Sequence, residues 1–445
     1  MVNHMRVQQL KIQSYRGIPD LNLRFGAEGP TVLIGINGSG KTSILNCISL
    51  LLEAFVDRLS GKDDSGKLIF SESDIMLGGE IPSLKNEITL SHAIEGARLN
   101  RNLEKEKDDD IEDLTTFSGG IFLGEDGYYP QNNLEELIPI SLRIREQLRR
   151  NKDFNIPVMV SYPVNRSFGL AVSSDVRTDT KSQTQLEAYK NAFLGSQINF
   201  SDFFNWYRYR EDLENEQRVS GDIEYRDRFL EAVRNSIEEL IPGFADLRIR
   251  RLPLRMTVNK DGRELSINQL SDGEKSLLAM VGDLARRLSI ANPSLNNPLH
   301  GSGIVLIDEI ELHLHPQWQR GMIPSLLEIF PNCHFIITTH SPQVLSDVRP
   351  DNVYVLNAEQ NRVFASNPDI SLGRDSNQIL EEIMGVSDRP VNIKDDLKML
   401  FRLIDQGDLD KARRHQKELE GIIGDDDPEF AKADILIRRK SALTR

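Results

Sequence analysis

The amino-acid sequence predicts an α/β fold in which a mixed sheet carries a phosphate-binding loop, with an inserted helical lobe and a small C-terminal helical element. Three observations lead there. The apolar run Thr31–Ile34 is followed by a glycine-rich turn and then by SILNCISLLLEAFVDRL, whose apolar residues recur at helical spacing: strand, loop, helix. Two further apolar runs of strand length, GIVLID from Gly303 and CHFIITT from Cys333, end in acidic and histidine-bearing turns. At 445 residues the chain is long for one ordinary domain, while 39% hydrophobic residues suffice for a sizeable core, so one large body with a smaller appendage is expected.

Taken in order, residues 5–13 (MRVQQLKIQ) and LNLRF from Leu21 alternate apolar and polar around the turn Ser14–Gly17, a hairpin-like pair at a sheet edge. From about Gly61 to Leu142 the sequence turns polar, and LEKEKDDDIEDL at 103–114 reads as a solvated helix face or loop. IPVMVSYPV at 156–164 has the pattern of a buried strand, with Asn165–Arg166 just beyond its end. Leu186–Leu240 is a long, charged helical region. Strands and helices return from 249 to 357. From Val386 onward two helix-like segments flank Gly424–Pro428. The expected division is 1–100 and 249–385 for the two parts of the sheet domain, 101–248 for the lobe and 386–445 for the tail.

Charge and composition narrow the function classes. A formal net charge of −14 leaves no dominant basic footprint, so any contact with DNA must be local or supplied by a partner. The cysteines, Cys47 and Cys333, are too few for a disulfide framework and point to a reducing compartment. No run of about 18 apolar residues appears, and MVNHMRVQQL lacks the apolar stretch of a signal peptide, so a cytoplasmic protein with no membrane partner is expected.

GINGSGKT at 35–42 matches the pattern G-x-x-x-x-G-K-[ST] in its required strand–helix context. Its glycines let the backbone N–H groups of Asn37, Gly38, Ser39 and Gly40 turn toward phosphate oxygens, with Ser43 adjoining. Lys41 reaches the terminal phosphates and the Thr42 hydroxyl can ligate Mg²⁺. Asp308 and Glu309 end the second strand: one carboxylate is committed to the metal and the other is free to orient or deprotonate water. Between these halves, NQLSDGEK at 268–275 reads as a helix cap, with Ser271 as N-cap and Glu274 at capping-box spacing. The same geometry makes the helix N-terminus an anion site that includes Gly273. His313 and His315 form a His-x-His pair for which the sequence places no third metal ligand. His340 follows the third strand in TTHSP.

Together these five motifs resemble the SMC/RecF-like branch of the ABC-type ATPases. The resemblance implies that the chain binds ATP and Mg²⁺, that Glu309 is the catalytic carboxylate and that His340 is the switch histidine sensing the γ-phosphate. It makes LSDGEK the signature, with Asp272 where the family has the first of two glycines, and Glu311–Pro316 the D-loop that crosses a dimer interface. In that family the signature serine and glycine touch the phosphate held by another subunit, so a homodimer or higher homo-oligomer is implied. Arg16 in SYRG resembles the arginine that approaches the phosphates. YPVNRS, FSDFFNWYRYREDLENE, and SDRP with the tail that follows it are similar to the PtuA ATPases of Septu and retron anti-phage systems, which act with a separate HNH nuclease, PtuB. A neighbouring class carries a fused Toprim nuclease, but the tail is short and helical, and Asp425–Asp427 reads as a capping loop; nuclease activity is not expected in this chain. The alternatives are a RecF-like ATP-dependent DNA-binding repair protein and, disfavoured by the lobe and helical tail, a transporter subunit.

Overall fold

In the computed structural model, which describes residues 5–62, 69–76, 83–92, 113–124, 127–164, 184–193, 200–359 and 362–443, the first hairpin forms as the alternation requires. β1 (Arg6–Tyr15) and β2 (Ile18–Arg24) are antiparallel, with Leu10 opposite Leu23 and Ile12 opposite Leu21 on the buried face. β2 is the edge of a five-stranded sheet of order β2-β1-β4-β5-β6, completed by β4 (Ser83–His92), β5 (Asp113–Gly124) and β6 (Gly127–Pro130). These three strands fall within the stretch from about Gly61 to Leu142, whose polar composition gives no sign of them. On β4 the buried positions recur with period two at Leu84, Asn86, Ile88 and Leu90, but Asn86 puts a polar residue in the apolar register, where its Oδ1 accepts from the Gln13 N–H. Of the acidic run at 103–114, only Asp113 and Leu114 fall within the described residues, at the start of β5.

The second sheet positions the chemistry. Its order is β14 (Arg362–Ser366), β13 (Val353–Glu359), β3 (Thr31–Ile34), β12 (Cys333–Thr338), β11 (Gly303–Ile307) and β7 (Val158–Tyr162). Neighbours from β13 to β7 run parallel and only β14 is antiparallel. β3, β11 and β12 are buried at every position, which is why they read as unbroken apolar runs. α1 (Lys41–Leu59) packs between the sheets, touching β4 on one and β7, β11 and β12 on the other. β1 is tied to β12 through His334, whose Nδ1 accepts from the Val7 N–H at 3.2 Å. The ring proton therefore sits on Nε2, which faces Thr31 Oγ1 at 3.1 Å.

The interval 101–248, expected as a helical lobe, is mixed. It supplies β5, β6 and β7 as well as α2 (Leu137–Arg150), α3 (Phe200–Val219) and α4 (Arg228–Leu240). The long charged region divides into α3 and α4, which pack against α5 (Asp272–Ala291). A small antiparallel sheet of β8 (Phe244–Arg251), β9 (Leu254–Lys260) and β10 (Arg263–Ser266) leads into α5. Among the described residues no helix is long and apolar enough to cross a membrane.

The chain divides into two compact units, Met1–Ser376 and Asn377–Arg445. Among its described residues the second holds, after a π-helical turn at Ile379–Ile383, three α-helices where two segments were expected from Val386 onward: α7 (Val391–Gln406), α8 (Leu409–Ile423) and α9 (Pro428–Leu443), with α6 assigned to Met322–Ile329 in the first unit. Gly407, at φ 81°, is the left-handed C-cap that separates α7 from α8. Leu397, Leu400, Ile404, Leu419, Phe430 and Ile437 form the core of this unit. Asp427 accepts from the Glu429 N–H and pairs with Arg389 at 2.6 Å, as a capping loop would.

Candidate active site

Because β3, β12 and β11 are adjacent and parallel, the turns at their C-terminal ends converge. The turn after β3 is the phosphate-binding loop. Gly38 and Gly40 adopt φ of 82° and 96°, which L side chains rarely accept, and a Cβ on Gly35 would come within 2.7 Å of the Leu356 carbonyl oxygen. Asn37 and Gly38 are exposed at the rim, while Ser39 is buried and its Oγ has no hydrogen-bond partner among the described residues. Lys41, the first residue of α1, donates to the Gly35 and Ile36 carbonyls at 2.9 and 3.0 Å. Burial lowers its pKa from the ordinary lysine value, opposed by the negative charges of Glu309, Asp308 and Glu311. Thr42 and Ser43 follow in the first helical turn.

The acidic strand meets this loop. Thr42 Oγ1 donates to Asp308 Oδ1 at 3.3 Å, and Thr338, at the end of β12, donates to the same carboxylate oxygen. Thr338 Oγ1 also accepts from the Glu309 N–H at 2.7 Å, so one hydroxyl fixes both acidic residues. Glu309 adopts φ 48°. A non-glycine residue held in that region is strained, and such strain concentrates where a side chain must be aimed. Glu311 organises the third turn: its carboxylate accepts from Thr339 Oγ1 at 2.8 Å and from the His340 N–H.

Ser271 caps α5 as its sequence pattern requires, accepting from the Glu274 N–H, while Glu274 Oε2 accepts from the Ser271 N–H and hydroxyl at 2.9 Å each. Lys260 pairs with the other oxygen of Glu274. The Glu274 carboxylate is thus engaged inside the chain, while Ser271 is exposed. Gly273 is buried against the turn that follows Glu309: a Cβ there would lie 2.2 Å from the His313 carbonyl oxygen. His315 caps the helical turn Pro316–Gln319, its Nδ1 accepting from the Gln317 N–H. Arg16 sits in the β1–β2 turn at φ 51°, paired through Nε with Asp74 at 2.9 Å. That turn lies beside the phosphate loop, since Ile18 is the nearest neighbour of a Cβ on Gly40. Asn165–Arg166 lie outside the described residues.

The family described as "AAA domain, putative AbiEii toxin, Type IV TA system" matches residues 31–346. That span runs from the first residue of β3 past His340. The chain belongs to this family. Over 445 aligned residues it is 31% identical to the "Retron Vc95 probable ATPase" of Vibrio cholerae serotype O1 biovar El Tor, covering 89% of this chain and 82% of the relative. The "Retron Ec83 probable ATPase" of Escherichia coli is 28% identical, covering 87% and 77%. The Septu protein PtuA of Bacillus thuringiensis is 24% identical, covering 86% and 85%. The kinship expected from the motifs therefore holds: the chain is related to the retron probable ATPases and to Septu PtuA.

Members of this ATPase family bind nucleotide, and the residues here fit Mg²⁺ as its companion. Two oxygen ligands side by side on an octahedral Mg²⁺ stand about 3 Å apart, close to the Thr42–Asp308 separation of 3.3 Å. The motif reading did not find Thr338, Glu311, Lys260 or Asp74 as residues that hold the site's side chains in place. Thr338 and Glu311 lie inside motifs already noted. Lys260 and Asp74 act from distant segments that no local pattern connects to the site.

Proposed function

We propose that the protein binds and hydrolyses Mg²⁺–ATP at sites shared between two copies of itself, and that this cycle controls a separate HNH nuclease in an anti-phage complex in the cytoplasm. The observation that carries the ATPase reading is the Thr42 hydroxyl set against the Asp308 carboxylate, with Glu309 held on the same Thr338 hydroxyl. Thr42 and Asp308 would hold Mg²⁺, which would offset phosphate charge. Backbone N–H groups of residues 37–43 and the Lys41 ammonium bind phosphate, Glu309 orients the attacking water and His340 senses the terminal phosphate. Arg16 stands beside the loop as a further phosphate ligand once it leaves Asp74. Ser271 and Gly273 complete the site of the second copy. The exposure of the Ser271 cap supports that role, and Glu274 acts as its positioning residue.

The defence role rests on kinship with the retron and Septu proteins. Within it, the helices of 101–248 serve as a regulatory element and the helical unit from about 386 as the element that engages the nuclease. The test is to express the chain with and without an HNH protein encoded beside it, then measure the mass of the purified assembly with and without ATP. The proposal expects co-purification and an ATP-dependent change between copies. A chain that stays alone and instead binds duplex DNA in a salt-sensitive manner would support a RecF-like role in its place.

A further inference from the structure

The helix that begins at Ser271 and the strand that ends at Asp308 are joined by a buried ionic network. Asp283, about three turns along α5, accepts from Arg286 Nε and Nη2 at 3.2 and 2.8 Å, from Arg287 Nε at 2.6 Å and from the Tyr162 hydroxyl at 3.1 Å. None of the three charged residues is more than 4% exposed. Arg287 Nη1 reaches on to the carbonyls of Ala188 and Lys190 at 2.6 and 2.9 Å. Tyr162 is the last residue of β7, and its own carbonyl accepts the Asp308 N–H at 3.0 Å. One residue thus bonds to the acidic strand through its backbone and to the signature helix through its side chain.

Packing alone does not account for this arrangement. Burying three charges carries a desolvation cost that an apolar cluster of the same shape would avoid, and directional bonds are what the charges add. Burial by itself would push the Asp283 carboxyl up, but Arg287 and Arg286 hold it below the usual carboxylate range, so this carboxyl is ionised at neutral pH. The guanidinium of Arg287 is a rigid fork, which ties the orientation of α5 to the segment 185–192. That segment extends the β7 edge, where the Ser161 N–H donates to the Ala192 carbonyl at 2.9 Å.

We infer that Tyr162, Asp283 and Arg287 are positioning residues that hold the signature helix in register with the acidic strand, so that each chain's own nucleotide site is coupled to the cap it presents to its partner. The catalytic part of this inference rests on the shared-site reading above. Tyr162→Phe removes only the hydroxyl, leaving the ring and the carbonyl that receives Asp308. Its kcat for ATP hydrolysis is expected to fall roughly tenfold, with ATP affinity by calorimetry unchanged and any sigmoidal dependence on ATP flattened. Arg287→Lys, which keeps the charge and loses the fork, should do the same. Hydrogen exchange reports the coupling without turnover: amides of 272–276 and 308–310 should exchange faster in both variants, while the urea midpoint of Tyr162→Phe stays near that of the wild type and that of Arg287→Lys falls because buried carbonyls lose their donor. Wild-type kcat together with unchanged exchange in Tyr162→Phe would overturn the inference. A wild-type chain that does not hydrolyse ATP, with faster exchange in the variants, would overturn the shared-site reading and leave the register standing.

Discussion

Gly273→Ala is the smallest change that tests how the signature helix meets the acidic turn. The new Cβ would lie 2.2 Å from the His313 carbonyl oxygen and 3.0 Å from its carbon, whereas real Cβ contacts almost never fall under 3.0 Å. Both sides are backbone: the first turn of α5, and a turn in which Glu309 and His313 already sit at positive φ. No flexible side chain can yield, so the two elements must part by roughly an ångström. Overpacking of this kind costs about 1–3 kcal/mol of stability. A displacement of that size at a catalytic geometry costs up to about a hundredfold in rate. ATP affinity should be close to normal, because the phosphate loop is untouched. Urea unfolding, calorimetric ATP binding and steady-state hydrolysis separate the three effects. Gly421→Ala is the control: it is inside α8 with nothing within 4 Å of the added Cβ, and should gain about 0.5–1 kcal/mol. Wild-type stability and rate in Gly273→Ala would refute the argument.

Two further outcomes follow from the site and its supports. Glu309→Gln should retain Mg²⁺–ATP and trap the paired state, since Thr42 and Asp308 remain, while hydrolysis falls by about a hundredfold or more; a rate equal to wild type would remove Glu309 from the catalytic role. Burial holds His334 well below its ordinary value of 6.5, helped by the charge of Arg6, so its native ring stays neutral. Above that value neither state is protonated and nothing is lost. As pH falls below it, the unfolded chain takes up a proton that the native ring refuses, and stability declines with each further step in pH. His334→Gln should escape that part of the loss in urea titrations, and an equal loss in both chains would contradict it.

What the sequence reveals follows the range of the interactions involved. The phosphate loop, the capped signature helix and the two apolar strands ending at Asp308 and Thr338 are local patterns, and each forms where its residues predict. β4 and β5 are not local: they pair from Ser83–Phe122 to His92–Asp113 across a long acidic connection, and Asn86 interrupts their apolar face. Only the pairing makes them strands. The break between α7 and α8 was readable, since Gly407 is a C-cap glycine followed by Asp408. Thr338 shows the remaining limit, because its hydroxyl organises Asp308 and Glu309 from another strand and its spacing along the chain gives no sign of that.

The shared site is tested most directly by mixing two inactive chains. Lys41→Ala removes the only side-chain cation of the phosphate loop and should abolish ATP binding. Ser271→Arg should bind ATP and fail to hydrolyse it, because the added cation fills the space where the partner's phosphate must enter. After subunit exchange at equal concentrations, half of the dimers are mixed and each has one site with an intact loop and an intact signature. ATPase activity should therefore return to at most about a quarter of the wild-type rate and fall on either side of the equal mixture. A rate near zero at every ratio, in samples where mass measurement demonstrates mixed dimers, would contradict the shared site.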